Sequence, residues 1–106
     1  SLKTKILYEK KLDLDNVEEP SFNELSIDSR KLVINYNKLN LGMSLNDYIQ
    51  DYEKSYAVLS TVENNLLENN EQEILLFYKT KSSEKFDKKL FDLNRKKLLQ
   101  NFPESI

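Results

Sequence analysis

The sequence contains no histidine, no cysteine and no tryptophan, and its 106 residues include one glycine and two prolines. Without His or Cys there is no imidazole base, no thiol nucleophile, no disulfide and no thiolate or imidazole metal site. A single glycine, Gly42, excludes phosphate-cradling loops and dinucleotide-binding turns, which need several positions at positive φ or without a side chain. After residue 30 the longest run free of charge is eight residues, against the roughly 20 apolar residues of a membrane-crossing helix. No span is expected. A soluble, cytoplasmic chain is the expectation, with no cofactor, no metal and no membrane partner.

What is present is ordinary in amount and distinctive in arrangement. Hydrophobic residues make up 39% and charged residues 32% of the chain, close to globular averages, and the length is that of one domain. Residues 1–20 read as an extended arm or short element. Thr4, Ile6 and Tyr8 alternate like a strand, and Glu18, Glu19 and Pro20 close the run. Asp13, Asp15, Glu18 and Glu19 resemble the opening of a calcium loop, but lack the loop glycine and the terminal glutamate at the required spacing, and read as a solvated acidic patch.

Residues 21–106 form the expected helical domain. Ser21 and Glu24 have capping-box spacing, and Phe22, Leu25, Leu32, Tyr36 and Leu39 fall on one face at 3.6 residues per turn. A strand at Leu32, Ile34 and Tyr36 competes with this; the longer stripe favours the helix. Gly42 is expected to end that helix in the left-handed conformation. Ser44 is then expected to cap the next, with Met43 and Tyr48 as a hydrophobic staple. Leu45, Ile49, Tyr52, Tyr56, Leu59, Val62 and Leu66 step by three or four residues, one apolar face of a long helix expected over 44–78. Ser82 and Ser83 start a last helix over 83–102, with Phe86, Phe91, Leu90, Leu93, Leu98 and Phe102 apolar and Pro103 as terminator. The expected fold is therefore all-α: a three- or four-helix bundle built on a long helical hairpin, 44–78 against 83–102.

Charge divides along that hairpin. Residues 45–78 carry seven acids and one base, whereas 79–97 carry eight bases and three acids, so an antiparallel pairing brings opposite fields together. Three functional classes follow. In the first, the apolar face Leu45, Ile49, Tyr52, Tyr56, Leu59, Val62 and Leu66 binds a protein partner or a second copy, since the stripes exceed what one small domain easily buries. In the second, Lys85, Lys88, Lys89, Arg95, Lys96 and Lys97, interleaved with Phe86 and Phe91, contact nucleic acid through phosphate neutralisation and base stacking. The third is an enzyme relying only on carboxylates, Tyr and Lys, with Asp47 and Asp51 or Glu71 and Glu73 as the available carboxylate pairs, but nothing near them in sequence suggests a pocket. A non-catalytic interaction or assembly subunit is the favoured expectation.

Ser21-Phe22, Leu32-Val33, Gly42, Leu45, Ile49, Tyr52-Glu53, Leu59, Leu66 and Glu71 follow an order that resembles the small subunit of exonuclease VII. The resemblance covers about half the chain, residues 21–77; neither the first twenty residues nor the basic end from Lys79 has a counterpart, and Ser55 stands where that family usually has Gly. It implies a short helical protein with no catalytic residue of its own. Leu45, Ile49, Tyr52 and Leu59 would belong to an apolar face that docks on a large nuclease subunit.

Overall fold

A computed structural model describes residues 22–104. The expected arm at 1–20, its acidic patch and the Ser21 cap lie outside the described residues. Those described form an all-α bundle of four helices with no strand. They are α1 (Ile27–Ser44), α2 (Tyr52–Leu59), α3 (Asn69–Ser83) and α4 (Lys88–Asn101). Single 3-10 turns occur at Phe22–Glu24 and Asn64–Leu66, and a π-helical turn at Leu45–Ile49 extends α1.

α1 starts later than the spacing of Ser21 and Glu24 suggests. Its N-cap is Ser26, whose Oγ accepts from the Ser29 N–H at 3.1 Å, satisfying one of the donors a helix start leaves open. The strand alternative for 31–41 is excluded by the continuous helix there. Tyr36, Leu39 and Met43 enter the core, with Leu32 packed against it, as the 3.6-residue periodicity requires.

Gly42 does not end this helix. It lies inside α1 with negative φ, and its lack of a side chain serves a close approach instead. Ser55 Oγ of α2 donates to the Gly42 carbonyl at 2.6 Å, and a Cβ at position 42 would lie 2.5 Å from the fully buried Leu59 Cγ. The chain turns only after the π-helical segment, at Gln50, which takes the left-handed conformation with φ 62°. Asp51 then caps α2, its Oδ1 accepting from the Lys54 N–H at 3.2 Å. Ser44 makes no side-chain cap bond, and Tyr48 is exposed while Met43 is buried, so the expected staple is not formed.

The helix expected over 44–78 is accordingly three segments. After α2 the chain passes through residues 60–68, where Val62 and Leu67 drop into the core. Asn35 of α1 holds this connection. Its Nδ2 donates to the Glu63 carbonyl at 3.0 Å, and its Oδ1 accepts the Glu63 N–H at 2.7 Å. α3 begins where the Glu68 N–H donates to Glu71 Oε1 at 2.8 Å; that buried oxygen also accepts from Tyr36 Oη at 2.8 Å. Start of helix and core are thereby joined at one side chain.

Ser82 and Ser83 do not open the final helix. Both are buried at the end of α3 and turn their hydroxyls back onto the Tyr78 and Thr80 carbonyls, at 2.8 and 3.0 Å. Asp87 is the cap of α4, accepting from the Lys89 and Leu90 N–H groups at 3.0 and 3.1 Å. α4 ends at Asn101 before Pro103, as expected. α3 and α4 pack as the antiparallel hairpin. α2 packs on both α1 and α3, so the elements neighbour one another in chain order.

Candidate functional site

The seven residues expected to form one apolar face do not share a surface. Leu45, Leu59 and Val62 are buried, Leu59 completely; Tyr52, Tyr56 and Leu66 are half-buried; Ile49 is exposed. The π-helical turn and the break at Gln50 rotate the later residues away from the line the spacing implied. Tyr56 meets Phe86 edge-on at 5.8 Å and has the Lys79 ammonium 5.4 Å from its ring centroid, while Lys85 lies 5.9 Å from the centre of Tyr52. Tyr52 and Tyr56 are therefore covered by the α3–α4 end of the domain, whereas Tyr48 stands open.

An apolar stripe does reach solvent, on a different helix. Ile27, Ile34 and Leu41 of α1 are 66%, 44% and 50% exposed. Seven residues are nearly two helical turns, so the three side chains lie on one line, opposite the buried Tyr36 and Met43. Tyr48 and Ile49, 79% and 64% exposed, follow at the end of the same rod. Lys31 and Lys38, each four residues after an isoleucine, border the stripe, and Arg30 lies on its other side with its Nε donating to the Leu25 carbonyl at 3.1 Å. The outward face of α1 is thus apolar along its centre and positive along its edges. Its sequence signal, an apolar residue every seventh position from 27 to 48, is present beside the shorter periodicity that marks the core.

All six cations considered for nucleic acid, Lys85, Lys88, Lys89, Arg95, Lys96 and Lys97, are exposed. They do not share one face: Lys88, Lys89, Arg95 and Lys96 point away from the bundle around Asp92, whereas Lys97 faces α3, and Lys85 precedes the helix. Phe86, 38% exposed, belongs to the α3–α4 connection and meets Tyr56 edge-on, whereas Phe91 is half-buried in α4, so the two rings do not form one platform among these cations.

Three of the four candidate carboxylates are engaged in structural bonds. Asp51 is a helix cap, Glu71 is tied to Tyr36 and the Glu68 backbone, and Asp47 accepts from Tyr78 Oη at 2.6 Å and Lys81 Nζ at 3.1 Å. Among the described residues no group of three potential ligands is arranged to hold a metal ion, and no helix is long and apolar enough to cross a membrane.

A concavity of about 660 Å³ runs between α3 and α4 and ends against residues 62–69. Leu59, Val62 and Leu75 form its floor, and Lys79 and Lys97 face into it from opposite helices. Burial, and secondarily the nearby Lys97 charge, pull the Lys79 pKa below its ordinary 10.5. Both causes act against the ammonium form.

No model of a known protein family matches the chain, and neither the curated proteins nor the solved structures contain a significant match.

Proposed function

We propose that this domain is a non-catalytic interaction module, and that the outward face of α1 docks against an amphipathic helix of a protein partner with acidic flanks. The observation that carries this reading is the exposed line of Ile27, Ile34 and Leu41. Large aliphatic side chains repeated every two turns on one helix suit helix-in-face packing, where each enters a gap between side chains of the facing helix. Lys31, Lys38 and Arg30 set the sign of the partner's flanking charges, and they disfavour a second copy aligned on the same face, where like charges would meet.

This reading keeps the character implied by the resemblance to the exonuclease VII small subunit, a helical subunit docking through an apolar face. It moves that face to α1, because Leu45 and Leu59 are committed to the core. The test uses a designed three-heptad peptide helix with Leu at the facing positions and Glu at the flanks, beside a version with Lys flanks. Fluorescence anisotropy should show binding of the Glu peptide only, lost in an Ile34→Asp/Leu41→Asp double variant whose circular dichroism is unchanged. Equal binding of both peptides, or binding that survives the double variant, refutes the assignment. So does a concentration-dependent rise in mass above 12.6 kDa that the double variant abolishes, since a second copy would then be the occupant.

A second reading, nucleic-acid binding, draws on the exposed Lys88, Lys89, Arg95 and Lys96. It requires affinity for a DNA or RNA oligomer that falls steeply with salt. A flat response disposes of it.

A further inference from the structure

The cleft between α3 and α4 has a chemical character that the docking face does not explain. Among the described residues no acidic side chain lines this cleft, while two lysines do. Lys79 is half-buried, its nearest described partner being the face of the Tyr56 ring, and neither Lys79 nor Lys97 forms an ion pair among the described residues. Two ammonium groups brought together without a counter-charge repel, and desolvation adds to the cost for the more buried one. An anion placed between them would relieve both effects.

The rest of the lining defines what the anion is attached to. Leu76 of α3 and Phe102 beyond α4 are half-buried and supply apolar walls. The side chains of Asn69, Gln100 and Asn101 reach the rim with no hydrogen-bond partner among the described residues. Asn94 and Gln72 differ in that their amide nitrogens are already engaged. Asn94 Nδ2 donates to Tyr56 Oη at 2.9 Å and the Leu90 carbonyl at 2.7 Å, and Gln72 Nε2 donates to the Leu67 and Asn64 carbonyls at 3.1 and 3.2 Å. These bonds hold the walls in place. The volume, about 660 Å³, is in the range of small-molecule sites, which combine apolar lining with a few placed polar groups.

We propose that this cleft binds a small organic anion, with its charged group between the Lys79 and Lys97 ammoniums and its apolar body against Leu76 and Phe102. The carboxamides of Asn69, Gln100 and Asn101 donate to oxygens at the rim.

The probe is 8-anilinonaphthalene-1-sulfonate, titrated by fluorescence against the full chain at low salt. Lys79→Met and Lys97→Glu should each weaken its binding by about tenfold or more, the scale of one charge-assisted contact. Lys97 is exposed, so its variant keeps the test open if Lys79→Met fails to fold. Sodium octanoate should displace the probe at concentrations where inorganic phosphate does not, because phosphate lacks the apolar body. The Ile34→Asp/Leu41→Asp variant should bind the probe as the parent does, which separates this site from the docking face. Unchanged binding in the folded Lys97→Glu variant overturns the proposal, as does probe binding lost only with the α1 stripe. Equal displacement by phosphate and octanoate overturns the organic part of it.

Discussion

At Gly42 one missing side chain lets two helices meet. The Gly42 carbonyl takes the Ser55 hydroxyl at 2.6 Å, and the space a Cβ would fill belongs to Leu59. Gly42→Ala would gain about 1 kcal/mol of helix propensity, but overpacking a fully buried contact costs about 1–3 kcal/mol. A net loss of up to about 2 kcal/mol in urea denaturation is expected. Leu59→Ala alone should cost about 2–5 kcal/mol through the cavity it leaves. The double variant should be less destabilised than the sum of the two, by about 0.5 kcal/mol or more, because the new methyl enters the vacated space. Strict additivity would show that the two positions do not share it. Lys79 offers a second measurement at this scale. The unfolded chain holds that proton more tightly than the folded one, so between the lowered folded value and 10.5 stability at this position rises with pH. Side-chain NMR should find Lys79 titrating below 10.5. Lys97→Ala should raise its pKa only part of the way back, since burial is the larger cause.

Among the elements, the connection between α2 and α3 is held by a side chain 28 positions away in sequence. Asn35 pairs with both backbone groups of Glu63, whereas Asn46, equally buried, has neither its amide nitrogen nor its amide oxygen bonded among the described residues. Asn35→Ala should therefore cost about 1–3 kcal/mol. Asn46→Ala should stay within about 1 kcal/mol of the parent, because losing an unpaired buried amide offsets the small cavity. Equal losses in chemical denaturation would mean that Asn46 is paired in solution. Helical periodicity, by contrast, was legible: Tyr36, Leu39 and Leu98 are all buried where a 3.6-residue repeat puts them. The boundaries were not, for a physical reason. Ser21, Ser26, Ser44, Asp51, Ser82, Ser83 and Asp87 all have side chains able to cap a helix, and the sequence alone does not say which are free to do so. Ser82 and Ser83 are buried and bonded backwards, while Ser26, Asp51 and Asp87 cap. The exposed line of α1 was legible as a seven-residue repeat but overlain by the core pattern. The cleft was not, since Lys79 and Lys97 are joined only by the pairing of α3 with α4.

For the molecule as a whole, the acidic and basic halves of the chain meet less through ion pairs than through rings. Lys79, Lys81 and Lys85 lie 5.4–5.9 Å from the centroids of Tyr56, Tyr78 and Tyr52. Lys81 with Asp47, at 3.1 Å, is the ion pair formed among the described residues. Asp47 gives the global electrostatics a direct test, because its two oxygens serve different partners: Oδ2 accepts from the buried Tyr78 hydroxyl at 2.6 Å and Oδ1 from Lys81. Asp47→Asn keeps an acceptor for Tyr78 and removes the charge. It should cost less than about 1 kcal/mol, as exposed pairs generally do, and the difference should shrink as sodium chloride screens the pair. Asp47→Ala also removes the acceptor and should cost about 1–2 kcal/mol more, a loss that salt leaves in place. Should the two variants be equally destabilised and equally salt-sensitive, charge attraction would be what ties the turn after α1 to α3. If only the alanine variant suffers, the tie is the tyrosine hydrogen bond, and the opposite charges of the two halves are background to a fold held by packing.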